Sequence, residues 1–167
     1  MNWEAEHPYL RKMDPNTYFS DEALAKFVSA QGKTVEKIVC HLWQNMIDKN
    51  GSVELIDNLE VHFSDKQKLT ISCNEQGDGL DAINFNYREA AAQIEKEFEG
   101  KIKLFGVNAS STKMWEDVIG LTLESVRIIK EGDYHKAGSV LLVFGKEKRI
   151  ISISPLDGLI IDYYEED

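Results

Sequence analysis

Residues 140–164 read VLLVFGKEKRIISISPLDGLIIDYY. VLLVF is an unbroken apolar run of strand length. GKEK is a polar turn that opens on Gly145, and RIISIS is a β-branched run bounded by Pro155. LDG is a second turn, and LIIDYY is again β-branched and aromatic. Short apolar runs separated by glycine, proline and charge are the signature of an antiparallel meander. The same grammar occurs earlier, in LEVHFSDKQKLTISCNEQGDGLDAINF at residues 59–85.

Further matches suggest that the unit occurs twice. GKTVEKI begins at Gly32 and GLTLESV at Gly120, with glycine, threonine, an aliphatic, glutamate and a second aliphatic in equal places. Upstream, Phe27 matches Trp115. Downstream, Gly79-Leu80 matches Gly158-Leu159. Matches kept in order point to an internal duplication with loops of different length. The expected fold is therefore α+β and mostly antiparallel β. It has two related four-stranded meanders, at about residues 20–86 and 108–167, in one domain spanning 1–167, with roughly eight strands in all. Sheets of this kind bury an apolar face against each other or against a helix.

The remaining segments are placed around those meanders. Residues 1–19 read as an arm crossing the domain, pinned by its aromatics. Ser20 can cap a short helix near 21–30, with Asp21 and Glu22 in its first turn. Residues 33–47 fit a helical stripe or a strand equally well, and the repeat decides for a strand. Residues 86–99 form the most evident helix, central to the domain, with Ala91, Ile94 and Phe98 on a buried stripe. A short helix is expected at 114–119.

The chain has 167 residues and a formal charge of -10, from 29 acids against 19 Lys and Arg. That balance disfavours nucleic acid, whose phosphates are bound through Lys and Arg. It disfavours an anionic membrane surface as well. It suits steering toward a basic protein partner. Two cysteines are too few for a disulfide framework. No leader peptide or membrane-spanning run is read, so the cytoplasm is the expected location.

Residue type and spacing bear on several chemistries. Cys40, His41, His62 and Cys73 have the composition of a zinc site, but adjacent Cys40 and His41 point to opposite faces of a strand, so no metal is expected. Glu36 and Glu124 are the only acids in matching places of the two copies. Unless they converge in a cleft they face water. No nucleophile elbow or phosphate loop is present, so no catalytic residue and no cofactor are assigned. Two stretches suggest a binding surface. Trp115, Glu116 and Asp117 set an aromatic beside two acids, although the match of Trp115 with Phe27 favours a core role for the indole. Asp162, Tyr163, Tyr164, Glu165, Glu166 and Asp167 end the chain in the same style. Tyrosine and tryptophan are preferred interface anchors, and acids add steering.

The pattern of glycine, aliphatic strand, polar turn and second strand over residues 32–164 resembles small uncharacterised bacterial proteins, some of which look like immunity partners of secreted toxins. The resemblance implies a cytoplasmic, non-enzymatic module that covers the site of a basic toxin. It carries over no functional residue. The rival expectation is a small-molecule or metal-binding module with a pocket between the two sheets.

Overall fold

The computed structural model describes residues 18–47, 54–154 and 158–165. Residues 1–17, most of the expected arm, lie outside them. Tyr18 and Phe19 are described. Tyr18 bridges Lys136, and the Phe19 ring meets Phe27 edge-on at 5.2 Å.

Helix α1 (Asp21–Ala30) starts where the sequence implies. The Ser20 side chain accepts from Ala23 N at 3.2 Å, and Asp21 and Glu22 occupy the first turn. Ala23, Phe27 and Ala30 recur at helical spacing and are buried. Residues 33–47 form a strand, β1 (Val35–Asn45). It is followed by β2 (Glu54–Phe63), β3 (Lys68–Cys73) and β4 (Leu80–Ile83), each antiparallel to the one before. After α2 (Tyr87–Glu97), β5 (Ile102–Asn108) returns to pair with β1 on the edge that β2 leaves open.

The second half contains β6 (Ser125–Arg127), the ribbon β7 (Lys130–Glu131) with β8 (Tyr134–His135), β9 (Ser139–Phe144), β10 (Glu147–Ser154) and β11 (Gly158–Tyr163). Strands β6, β9, β10 and β11 are antiparallel neighbours in that order. One parallel pair, Gly158 with Ile56, joins β11 to β2. The nine larger strands thus form one curled sheet, and the class is α+β with mostly antiparallel pairing.

Period-two alternation puts Leu59, Val61 and Phe63 of β2, Leu69 and Ile71 of β3, and Val140, Leu142 and Phe144 of β9 on the inner face. The inner face of α1 closes over this core, together with Trp115, Val118 and Leu123. Among the described residues no helix is long and apolar enough to cross a membrane.

Three expectations need correction. Helix α2 is peripheral and has no buried residue. Its stripe of Ala91, Ile94 and Phe98 is only half-buried, and Phe98 meets the edge of Trp43 at 5.6 Å. The helix lies beside β5, so it shields an edge strand rather than filling a core. Tyr87 Oη donates to the Leu104 carbonyl of β5 at 3.0 Å, which blunts that edge against further pairing. Second, residues 114–119 are overlapping turns rather than a helix, with Trp115 N bonded to Thr112 O and Val118 N to Trp115 O. Third, the two halves are unequal. β1 runs for 11 residues, whereas residues 121–129 supply the 3 residues of β6, and the first half is followed by a helix and a returning strand.

Candidate functional site: an acidic aromatic face around Arg149

On the inner side of the β10–β11 hairpin, apolar alternation ends at a charge. Arg149 lies two places before Ile151 and shares its phase, yet it is only 2% exposed. A buried guanidinium needs partners for its donors. Arg149 Nε donates to Met114 O at 2.7 Å, and Nη1 donates to Lys148 O at 2.9 Å. Nη1 also meets the Glu147 carboxylate at 2.9 Å. Tyr163, directly opposite on β11, lays its ring over the guanidinium, with Cζ 4.5 Å from the ring centroid. Such a stack contributes about 0.5 to 2 kcal/mol, more as it is dried.

Through Arg149 the turn at Met114 and the strand end at Tyr163 become one unit. Glu116 and Asp117 are exposed two and three residues beyond the anchored carbonyl. Tyr163 is 50% exposed and Tyr164 38%, with Asp162 and Glu165 exposed beside them. Asp162 Oδ1 accepts from Tyr163 N at 2.8 Å, and Tyr164 N donates to Lys148 O at 3.3 Å, which orders the strand end. Trp115 corrects the expectation of an exposed anchor. It is 2% exposed and belongs to the core, because an indole on that turn has the apolar interior directly beneath it. Glu166 and Asp167 lie outside the described residues.

A second polar assembly was not anticipated. On the outer face of β1, β2 and β3, register places Lys37, His62 and Lys68 in one row, Val39, Glu60 and Thr70 in the next, and His41, Asn58 and Ser72 in a third. A bulge at Asp57 lets its carboxylate accept from Asn58 Nδ2 at 2.8 Å and from Trp43 Nε1 at 2.9 Å. With Nδ2 so committed, Asn58 Oδ1 accepts from His41 Nδ1 at 2.8 Å, so Nδ1 is the ring nitrogen that carries the hydrogen toward Asn58. Phe85 and Tyr87 lie against the His41 ring, at 4.8 and 5.3 Å. Glu60 is bonded to Lys68 Nζ at 2.5 Å and to His62 Nε2 at 3.3 Å. No buried side-chain nitrogen or oxygen among the described residues lacks a partner. A fully satisfied layer of this kind fixes strand register and holds the segment leading into α2.

Its charges give a pH dependence. Burial pushes Glu60 up, but the hydrogen bond and charge of Lys68, with His41 and His62, outweigh burial and hold it below its ordinary 4.5. Burial is the main cause that lowers His62 below its ordinary 6.5, against the opposing pull of Glu60. Both groups bind fewer protons folded than unfolded, so acid destabilises the fold. The His62 contribution falls away below 6.5. The Glu60 contribution is present above 4.5 and is lost as the pH drops through its folded value. Urea melts taken from about pH 7 to about pH 3 should show falling stability. Glu60→Gln should flatten the part below 4.5, and an unchanged slope there would remove Glu60 from this account.

The other candidates separate. Cys40 is buried on the core face, where burial pushes its thiol up to about 11, whereas His41 lies in the outer polar layer. Among the described residues no three His, Cys, Asp or Glu are grouped to hold a metal ion. Glu36 and Glu124 are both exposed and share no cleft, and Glu36 meets Lys66 Nζ at 3.2 Å. Comparison with known proteins finds no matching family model, no matching curated protein and no matching solved structure.

Proposed function

We propose that this chain is a non-enzymatic interaction module that binds a basic protein through Glu116, Asp117, Asp162, Tyr163, Tyr164 and Glu165, in the manner of an immunity-type inhibitor. The observation that carries this reading is Arg149, which ties the Met114 turn to Tyr163 and so gathers two stretches far apart in sequence. The face offers rigid aromatic area with acids around it, a composition suited to Lys and Arg side chains. The chain's formal charge of -10 adds long-range attraction for a basic partner. In complex with such a partner, Tyr163→Ala should weaken binding by about 2 kcal/mol, roughly thirtyfold, mostly through faster dissociation. Calorimetry or surface binding that shows less than a threefold change would take Tyr163 out of the interface.

We also read the fold as two copies of one sheet-forming unit. Thr34 and Thr122, in equal places of GKTVEKI and GLTLESV, pair with each other. The bonds around them are reciprocal. Gly32 N donates to Leu123 O and Gly120 N to Val35 O, at 2.8 and 2.9 Å. Val35 N donates to Leu121 O and Leu123 N to Lys33 O, at 2.8 and 2.9 Å. Gly32 and Gly120 share φ values of 87 and 88°. Further along, Leu80 N donates to Ala137 O just before β9, as Gly158 meets Ile56 near the start of β2. These exchanges support a local two-fold relation, with α2, β5 and the β7–β8 ribbon as additions to it.

A further inference from the structure

Strand β5 forms a margin of the curled sheet and pairs with β1 alone among the described strands. Backbone groups along an antiparallel strand point alternately to one neighbour and to the other. Met46 N donates to Lys101 O and Ala109 N to Ile38 O, both at 2.8 Å. The odd-numbered residues of β5 therefore turn their backbone groups toward β1. Ile102, Leu104, Gly106 and Asn108 turn theirs outward. Helix α2 covers the first part of that outward edge, where Lys101 N donates to Phe98 O at 2.9 Å and Tyr87 Oη caps Leu104 O. Gly106 and Asn108 lie beyond this cover and are exposed, and Gly106 has no side chain to screen its own backbone. An uncovered stretch of edge is a template for one more strand.

The side chains beside it determine what that strand would carry. Cross-strand partners share a face, so Val107 lies beside Cys40 and Phe105 beside Leu42. Cys40 belongs to the core, and Leu42 packs against it. The core face of the sheet thus continues onto β5, where Phe105 is still 38% and Val107 43% exposed. In phase with them are Lys101 and Lys103, both exposed, and neither forms an ion pair among the described residues. Two cations followed by two apolar groups at alternate places complement an extended segment with apolar side chains opposite Val107 and Phe105 and carboxylates opposite Lys103 and Lys101.

We infer that the β5 edge at 105–108 captures an extended acidic and apolar segment of a partner protein as an added antiparallel strand. Its backbone pairs with Gly106 and Asn108, its apolar side chains cover Phe105 and Val107, and its carboxylates meet Lys103 and Lys101. The test is an amide and methyl NMR titration of the full chain with three short capped peptides, VTVTETE, VTVTKTK and VTVPETE. VTVTETE should shift the Gly106 and Asn108 amides and the Val107 methyls, and should bind at least about tenfold more tightly than VTVTKTK. VTVPETE sets a proline opposite Gly106, lacks the N–H that the Gly106 carbonyl would accept, and should bind at least about fivefold more weakly than VTVTETE. Lys103→Glu, at an exposed side chain, should bring VTVTETE and VTVTKTK within about threefold of each other. The inference is overturned if VTVTETE leaves these signals unmoved, if VTVTKTK binds as tightly, if VTVPETE binds like VTVTETE, or if Lys103→Glu keeps the tenfold preference. It is overturned as well if the same amides shift with protein concentration alone, which would give the edge to a second copy of this chain. No residue of the acidic face takes part in these readouts.

Discussion

Trp115→Ala should lower the unfolding free energy by about 3 to 5 kcal/mol, the range for removing a large aromatic from a core. Its side chain is only 2% exposed and belongs to the same cluster as Phe27, Val118 and Leu123. The turn around it is a series of overlapping turns rather than a helix, with bonds such as Trp115 N to Thr112 O at 3.1 Å and Val118 N to Trp115 O at 2.9 Å. The indole is therefore the main apolar anchor of that turn, and the cavity left by alanine could not be closed without moving it. Arg149 would then lose a firmly placed Met114 carbonyl. Chemical denaturation reads the effect directly. A loss below about 1 kcal/mol would mean that Trp115 is a surface anchor after all.

Gly158→Ala should be nearly as damaging, at about 3 kcal/mol. Gly158 has φ +71°, in the left-handed region that costs an alanine roughly 1 to 2 kcal/mol. A Cβ there would also sit 2.5 Å from the Ile56 carbonyl oxygen, a backbone atom that has no rotamer to escape into. The clash falls on the one parallel pair that joins β11 to β2. Breaking it parts the seam between the two halves of the sheet, so the thermal transition should broaden as well as shift down. A variant with the parent's midpoint and steepness would show that the seam contributes little.

Much of the strand layout was legible because apolar alternation is a local property. Leu59, Val61 and Phe63 announce a strand by themselves, and so do Leu69 with Ile71 and Leu142 with Phe144. β1 was legible only through the match of Gly32 with Gly120, since its own periodicity fits two structures. The helical character of residues 87–97 follows from composition. What the helix packs on does not, and Phe98 lies shallower than its helical stripe implies for that reason. The polar layer was hidden by the same rule that revealed the strands. Asn58, Glu60 and His62 alternate with core residues and so read as facing water, although Asn58 binds His41, whose ring lies against Phe85 and Tyr87, and Lys68 and His62 bind Glu60. Arg149 carries a signal of its burial in the sequence, a charge in phase with Ile151 where an aliphatic belongs. The contact of Gly158 with Ile56 depends on how the halves meet, which no short window of sequence contains.

The most direct test is quantitative affinity capture from cells that produce this chain, comparing the native protein with a variant carrying Glu116→Lys, Asp117→Lys, Asp162→Lys and Glu165→Lys. All four side chains are exposed, so the variant should fold. The native chain should retain a basic protein that the variant loses at least about tenfold, with the difference shrinking as salt is raised. Equal retention by both chains, or capture unaffected by salt, would contradict the assignment of this face as the binding surface.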